Sequence, residues 1–162
     1  MMYMPSTSSR ILEKEHIRIA ARDLLSTLNL NNCLGVSLTM KQSREGIILD
    51  EMRASQNLRH FLNKINNIVY AKRFKRFGKK LNVIPVLEKS LCGRYHYHLI
   101  LLSPSHIFTK TFSSLLTGEW EKTYFGYRQS HIHNEIDVGW TYYITKFKSA
   151  SDGIDWENYH WN

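Results

Sequence analysis

The chain has 162 residues, of which 43% are apolar and 12% aromatic. This is the length of one domain with a substantial core, and the composition excludes a largely disordered chain. The formal net charge of +8 and the sequence pI of about 9.5 favour a polyanionic partner, either nucleic acid or an anionic membrane surface. Nine tyrosines and four tryptophans add stacking surface, which suits single-stranded nucleic acid.

Several other classes are disfavoured by the sequence. No apolar run approaches the length of a membrane span, and residues 1–10 lack the apolar core of a signal peptide. We therefore expect a cytoplasmic protein without a membrane partner. Cys33 and Cys92 are far apart and match no metal or redox spacing, so we interpret both as reduced packing residues.

The N-terminal part of the chain predicts a helix followed by a strand. Ser9 is a candidate cap for a helix over 10–28, whose apolar residues follow an approximate helical spacing. Residues 34–40 predict a strand with Val36 and Leu38 on one side and Ser37 and Thr39 on the other. A loop or hairpin with Gly46 as its turn residue follows over 41–50.

A second long helix is predicted from a cap at Ser55 to about residue 77. Its end carries a dense basic cluster interleaved with Phe74 and Phe77, consisting of Lys72, Arg73, Lys75, Arg76, Lys79 and Lys80. Cations suit a helix C-terminus, so the cluster could be a solvated helix end. It exceeds what capping needs, and we favour a patch that contacts DNA phosphates. Arg94 is added to the candidate DNA-binding residues.

The stretch 83–102 reads as two strands joined by a short turn around Gly93. Alternation places His96 and His98 on the same strand face, about 7 Å apart. Pairing of the two strands would bring Glu88 back beside them. Two imidazoles and a carboxylate with open coordination positions suit Mg²⁺ or Mn²⁺ better than a structural zinc. The alternative is that His96 and His98 are only half-exposed polar residues.

The remaining elements complete an α+β prediction. We expect a helix over 105–123, a strand over 127–138, and a short helix over 140–148. The tail 151–162 is rich in aromatic residues and either folds back on the domain or offers a partner surface. The order of elements predicts an antiparallel sheet with helices mainly on one face, within one domain whose core spans about 34–148.

Within the last helix, Tyr143 and Lys146 are three residues apart and so share a helical face. A cation beside a phenol favours the phenolate, which is the attacking form of a tyrosine nucleophile. The same charge can balance a phosphorane-like transition state. By itself a Tyr-x-x-Lys pair occurs often by chance.

The ordered set of motifs resembles the HUH endonucleases, and in particular the rolling-circle replication initiators. The motifs are the strand VSLTM, a glutamate eight residues before His96 in HYH, and YITK with its tyrosine 45 residues after His98. Together they cover about residues 34–148. Each motif is loose, and their order and spacing carry the resemblance.

The resemblance implies a five-stranded antiparallel sheet of ferredoxin-like or RRM-like type. It implies a single Mg²⁺ or Mn²⁺ held by His96, His98 and Glu88. Tyr143 would attack a phosphodiester of single-stranded DNA, leaving a free 3′-hydroxyl and a 5′-phosphotyrosine, with Lys146 steadying the phosphate or the tyrosine. The same site could rejoin the strand without ATP.

Two alternatives remain within the site. His131 and His133 form a second His-hydrophobic-His pair, but no glutamate precedes them at the matching distance and Tyr143 follows too soon. They could border the DNA groove or be plain surface residues. Tyr142 lies next to Tyr143, but adjacent helical residues diverge by about 100°, so only one can face the metal.

The biological role also has alternatives. The chain has no Gly-x-x-x-x-Gly-Lys loop, so strand separation would need a separate helicase or superhelical tension. A single-tyrosine transposase shares the order of motifs, and a mobilisation relaxase would need a tyrosine near the N-terminus such as Tyr3. The remaining alternative is a non-catalytic, RRM-like module that binds nucleic acid.

Overall fold

The computed structural model describes residues 7–149 and 152–162 of the chain. Tyr3 lies outside the described residues. The helices are α1 (Thr7–Ser26), α2 (Glu51–Tyr70), α3 (Lys72–Phe77), α4 (Thr109–Glu121) and α5 (Val138–Ile144). The strands are β1 (Cys33–Thr39), β2 (Ser43–Arg44), β3 (Ile47–Ile48), β4 (Val83–Lys89), β5 (Tyr95–Leu102), β6 (His131–His133) and β7 (Gly153–Ile154).

Five strands form one antiparallel sheet in the order β6-β1-β5-β4-β7. The α+β prediction with a five-stranded antiparallel sheet is therefore confirmed. Strands β2 and β3 form a separate hairpin that turns at Gly46, as expected for that segment, and Gly46 has a positive φ of 78°.

Alternation along the strands separates the two faces of the sheet. One face, which we call the α2–α4 face, carries the larger core. Here alternate residues of β1 and β5, such as Val36, Tyr97 and Leu99, pack under α2 and α4. The rings of Phe61 on α2 and Trp120 on α4 meet edge to face at 5.3 Å. These two helices seal this face with apolar side chains.

The opposite face, which we call the α1–α5 face, is covered by α1 and α5. Its smaller core contains Leu25 of α1, Ile144 of α5, and Ile84 and Ile100 of the sheet. The two helices are tied together, because the guanidinium of Arg22 donates a hydrogen bond to the Thr145 hydroxyl at 3.1 Å. This second core leaves the polar residues of β1, β5 and β6 beside α5.

The C-terminal tail folds back on the domain and supplies the fifth strand, because β7 pairs with β4. The buried hydroxyl of Tyr97 donates to the carboxylate of Asp155 at 2.8 Å. Burial raises the pKa of Tyr97, and the Asp155 charge raises it further. Tyr159 and Trp161 pack on the α1–α5 core, whereas Trp156 is exposed.

The predicted boundaries of the first two long helices were wrong. Helix α1 already includes Thr7, so Ser9 does not cap it. Asp50 caps α2 by accepting a hydrogen bond from the Arg53 amide at 2.8 Å, and Ser55 lies inside the helix. The helix ends at Tyr70, because Ala71 has a φ of 47° and separates off α3.

The other boundary errors concern the C-terminal half. Helix α4 begins at Thr109 rather than near 105. Of the predicted strand 127–138, only the three residues of β6 pair with β1. Asp137 already caps α5, because its carboxylate accepts a hydrogen bond from the Trp140 amide. Helix α5 then ends at Ile144, so Lys146 follows the helix instead of belonging to it.

Two further expectations bear on the class of protein. Among the residues that the structure describes, none of the helices has the length and apolarity needed to cross a bilayer. Cys33 is buried, and burial raises the pKa of its thiol. Cys92 is exposed in the β4–β5 turn, so its interpretation as a packing residue was wrong.

Candidate active site

The β4–β5 hairpin brings the predicted metal ligands together. Gly93, with a φ of 82°, allows the tight turn, and the pairing register places Glu88 directly opposite His96. His98 follows two residues later on the same face. The rings of His96 and His98 have centroids 4.8 Å apart and are perpendicular.

The ligand atoms of these three side chains converge on the Glu88 carboxylate. Its Oε2 atom lies 3.0 Å from Nε2 of His98 and 3.6 Å from Nε2 of His96. All three ligand atoms lie within 4.8 Å of one another. Adjacent ligands of an octahedral ion with bonds of about 2.1 Å are about 3 Å apart, so small side-chain movements suffice to surround an ion. The cluster could therefore bind a metal ion.

Ser37 on β1 orients the most buried ligand. The side chain of His98 is only 3% exposed, and its Nδ1 lies 2.9 Å from the Ser37 hydroxyl. A hydroxyl can donate or accept, so Ser37 can pair with either neutral tautomer of the ring. With Nδ1 engaged, Nε2 faces the Glu88 carboxylate, as is typical of a ligating histidine whose other nitrogen is hydrogen bonded.

The charge state of Glu88 suits metal binding. The imidazoles of His96 and His98 face its carboxylate and hold the pKa of Glu88 well below its usual range, outweighing the opposing effect of burial. The group is therefore ionised at neutral pH. An anionic oxygen next to two imidazole nitrogens is a mixed donor set for a divalent cation.

Helix α5 places Tyr143 over the metal ligands. Its ring centroid lies 5.2 Å from that of His98, with the planes at 76°. The helix is anchored from below by Thr141 and Ile144, which are both buried. The Lys146 ammonium lies 4.4 Å from the centre of the Tyr143 ring, even though Lys146 is outside the helix. The structure therefore brings His98 together with Tyr143 and Lys146, which lie 45 or more residues further along the chain.

The neighbouring Tyr142 points in a different direction. Its ring is stacked against the Arg22 guanidinium of α1, with 4.7 Å from Cζ to the ring centre. Both tyrosines are partly exposed, at 53% for Tyr142 and 43% for Tyr143. Between the two, Tyr143 is the one whose ring contacts a candidate metal ligand.

His131 and His133 lie on β6, where they pair with Ser37 and Gly35 of β1. They therefore share the sheet face of His98, but they are not part of the metal cluster. Among the described residues, the only group of three converging metal-ligating side chains is the one formed with Glu88. Instead, the pair lines a cavity of about 800 Å³ together with Trp140 and Tyr143.

The candidate DNA-binding residues fall into two places. Lys72, Arg73, Lys75 and Arg76 are exposed on α3, and Lys79 and Lys80 are exposed in the following loop. That loop leads into the Val83 end of β4, five residues or about 17 Å from Glu88. The basic cluster is therefore not brought to the metal ligands. Arg94 is exposed in the β4–β5 turn, two residues before His96.

Three contributors were missed by the sequence reasoning: Ser37, Gly35 and Trp140. A Cβ on Gly35 would lie 2.7 Å from Ile136 Cγ2 and 2.8 Å from Trp140 Cε2, so only glycine lets the indole pack this close to β1. The centroid of the Trp140 ring lies 5.9 Å from that of His98 and 5.5 Å from that of Tyr143. The alternation of VSLTM signals that Ser37 faces away from Val36, but its partner becomes evident only from the strand register.

No family model, curated protein or solved structure matches this chain. The resemblance to the HUH endonucleases therefore rests on the motifs themselves.

Proposed function

We propose that the protein is a metal-dependent endonuclease and strand transferase that nicks and rejoins single-stranded DNA. Tyr143 is the nucleophile and Lys146 its neighbouring cation. His96, His98 and Glu88 hold Mg²⁺ or Mn²⁺. The biological role that fits best is initiation of rolling-circle replication of a plasmid, phage or other mobile element, with any helicase supplied by a separate protein.

The observation that carries the proposal is the contact between Tyr143 and His98. A possible nucleophile and a metal ligand, 45 residues apart in sequence, have ring centroids 5.2 Å apart on one sheet face. The cation over the phenol supports the same assignment, because it stabilises negative charge on the attacking group. The net charge of +8 supports a nucleic-acid substrate.

The donor set fits the proposed ions. One carboxylate and two imidazoles leave positions open for water and for a phosphate oxygen, unlike a closed four-ligand zinc site. When bound, the ion would supply Lewis-acid polarisation of the scissile phosphodiester. The chain's own residues hold the ligands in place, with Ser37 fixing the His98 ring.

The proposed reaction exchanges one phosphodiester for another. The Tyr143 hydroxyl loses its proton and its oxygen bonds to phosphorus, while the bond from phosphorus to the 3′-oxygen breaks. The departing 3′-oxygen takes up a proton, giving a 3′-hydroxyl and a 5′-phosphotyrosine. Attack by a 3′-hydroxyl on the phosphotyrosine reverses these steps and rejoins a strand. Lys146 balances the added negative charge on the phosphoryl group.

The test is covalent capture of DNA by the protein. A library of single-stranded oligonucleotides with hairpin and linear segments is incubated with the protein and Mn²⁺, and intact mass is measured. We expect a nucleotide adduct on Tyr143 and none in Tyr143→Phe, because the phenylalanine ring lacks the attacking oxygen. Tyr142→Phe is the matched control and should retain the adduct. Absence of any adduct across the library, or a Tyr143→Phe protein as active as the wild type, would overturn the proposal.

Metal binding is tested separately by thermal unfolding. An ion bound only by the folded state raises the unfolding midpoint, so Mn²⁺ should raise it for the wild type and for Tyr143→Phe. Removal of a ligand in His98→Ala should abolish the rise. Metal binding without adduct formation would leave a metal-containing nucleic-acid-binding module in place of an enzyme. A preference for hairpin ends, with a dimeric solution mass, would indicate transposition over replication.

A further inference from the structure

A cavity beside Tyr143 is not used by the proposed chemistry. It has a volume of about 800 Å³, and its lining includes His131, His133, Glu135, Trp140 and Tyr143. This volume lies within the range of about 300–1,000 Å³ that is typical of small-ligand sites. The cavity is therefore large enough for one nucleotide unit.

The walls of this cavity offer aromatic faces. The Trp140 ring has its centroid 4.9 Å from that of His133 and 5.5 Å from that of Tyr143. It is partly exposed, and both histidines on β6 are exposed. Flat π-surfaces of this kind stack with nucleobases irrespective of sequence. Trp140 lies between His133 and Tyr143 in this lining, and the partly exposed part of its indole is the surface on which a base could stack.

The charge of the lining decides between a base and a phosphate. Glu135 and Asp137 both line the cavity, and Glu135 is exposed. The Asp137 carboxylate accepts a hydrogen bond from the Trp140 amide and so caps α5. Carboxylates repel a phosphate but accept hydrogen bonds from base amino groups. The lining therefore favours a base inside the cavity, with the backbone outside.

A basic region adjoins this cavity. A second cavity shares Glu135 and Ile136 with the first and is lined further on by Lys79, Lys80 and Lys110. These lysines give a sequence-independent attraction for the phosphates of a strand. Because the two cavities have Glu135 and Ile136 in common, they are neighbours, one lined by Tyr143 and the other by part of the basic cluster.

We propose that the first cavity is a nucleobase subsite. One base next to the scissile phosphate stacks on Trp140, and the backbone leaves past Ile136 toward Lys79, Lys80 and Lys110. The inference deepens the proposed function, on which it rests for the substrate class. It assigns recognition of single-stranded DNA to a surface separate from the metal cluster.

The experiment measures binding of fluorescein-labelled oligonucleotides without metal, so that no nicking is involved. Trp140→Leu keeps apolar packing and removes the aromatic face. Trp140→Phe keeps an aromatic ring but replaces the bicyclic indole by a smaller one, and it removes the indole N–H, which is buried without a hydrogen-bond partner among the described residues. We expect single-strand affinity to fall about 10-fold in Trp140→Leu and less than about 3-fold in Trp140→Phe. Duplex affinity should stay unchanged in both.

Two results would overturn the subsite. One is wild-type single-strand affinity in Trp140→Leu. The other is an equal loss for single strands and duplex in a protein that keeps its wild-type unfolding midpoint. If Trp140→Leu lowers that midpoint, His133→Ala decides by the same criteria, because His133 is an exposed edge-strand residue.

The contribution of the lysines that line the second cavity, which we call the lysine track (Lys79, Lys80 and Lys110), is tested separately. Lys79→Gln and Lys80→Gln should weaken single-strand and duplex binding alike and reduce the salt dependence of both. Unchanged single-strand binding would remove the track. Unchanged single-strand affinity in Trp140→Leu, with adduct formation by the wild type, refutes the subsite alone. A selective loss of single-strand affinity in Trp140→Leu, without any adduct in the wild type, refutes only the nicking proposal.

Discussion

The two faces of the sheet are built from the same strands, but one is sealed by apolar side chains and the other carries the candidate metal ligands. On the α2–α4 face, β5 presents Tyr95, Tyr97 and Leu99 to a sealed apolar core. On the α1–α5 face, the intervening residues His96 and His98 belong to the candidate metal cluster, and His98 contacts Ser37 and Tyr143, which line the cavity of about 800 Å³. The difference comes from the helix beside the histidines, since α5 has seven residues and its Tyr143 is exposed, whereas α2 and α4 have 20 and 13 residues and bury Phe61 and Trp120 on the sheet.

The two faces thus separate an apolar core from a cluster of polar side chains that could bind a metal ion. Because successive side chains of a strand point to opposite faces, one strand can contribute apolar residues to a core and polar residues to a site on the other face. The sealed α2–α4 face carries the larger of the two clusters of buried apolar residues, and burial of apolar surface is the main source of hydrophobic stabilisation. Substitutions on the two faces should then affect different measurements.

The greatest loss of stability is expected for a substitution on β5 next to His98. Leu99 is fully buried on the α2–α4 face, so Leu99→Ala should cost about 2–5 kcal/mol in the free energy of unfolding by urea. The rise in unfolding midpoint with Mn²⁺ should persist in this variant, because its neighbour His98 is unchanged. A loss below about 1 kcal/mol, or a lost response to Mn²⁺, would contradict the separation of the faces.

The next effect concerns the close packing of α5 on the sheet. Gly35→Ala introduces a methyl group that would overlap Ile136 and Trp140, so we expect about 1–3 kcal/mol of destabilisation. The displacement should also reduce adduct formation through Tyr143. Gly118→Ala is the matched control on α4, where the added Cβ meets nothing within 4 Å. It should leave adduct formation unchanged, and wild-type adduct yield in Gly35→Ala would argue against this positioning.

A smaller effect is expected from Ser37→Ala. It removes the hydroxyl that holds Nδ1 of His98, so Mn²⁺ affinity should fall about 10-fold while the fold is kept. Thr39→Val serves as control, because its hydroxyl bonds the Gln129 carbonyl instead of an imidazole. Both affinities are measured by titration calorimetry. Equal affinity in the Ser37 and Thr39 variants would show that orientation of His98 does not depend on Ser37.

The smallest effect tests electrostatics on the sealed face. Lys122 and Lys64 both contact the Glu119 carboxylate and lower its pKa, and Lys64 links α4 to α2. Because the folded pKa is lowered, this stabilisation is present above the ordinary carboxyl pKa of about 4.3 and is lost as the pH falls below it. Glu119→Gln should therefore cost about 0.5–1 kcal/mol at neutral pH and little at pH 3, measured by urea unfolding. A cost that grows on acidification would have the wrong sign.

Local pattern predicted the elements that carry the metal cluster. The alternation of 95–102 and the turn at Gly93 place His96, His98 and Glu88 on one face, as the structure has them. Tyr143 was predicted from its spacing to Lys146 on a continuous helix. The Lys146 ammonium does lie over the Tyr143 ring, but Lys146 follows the end of α5. The contact was therefore predicted correctly, whereas the continuous helix that was to produce it was not.

Other features depend on tertiary contacts that no local signal encodes. Ala71 adopts a positive φ without being glycine, which conceals the break between α2 and α3. Strand β7 has only two residues and exists because the tail pairs with β4. The contacts of Ser37 and Trp140 require the strand register and the packing of α5, and neither follows from spacing along the chain.

The short outer strands have a consequence for assembly. β6 offers three residues at one border of the sheet and β7 offers two at the other. Strand addition and amyloid-like stacking need a long row of free backbone groups, and such brief borders give an incoming chain little to pair with. Self-association by sheet extension is thereby discouraged, even though the interior strands are rich in β-branched and aromatic residues.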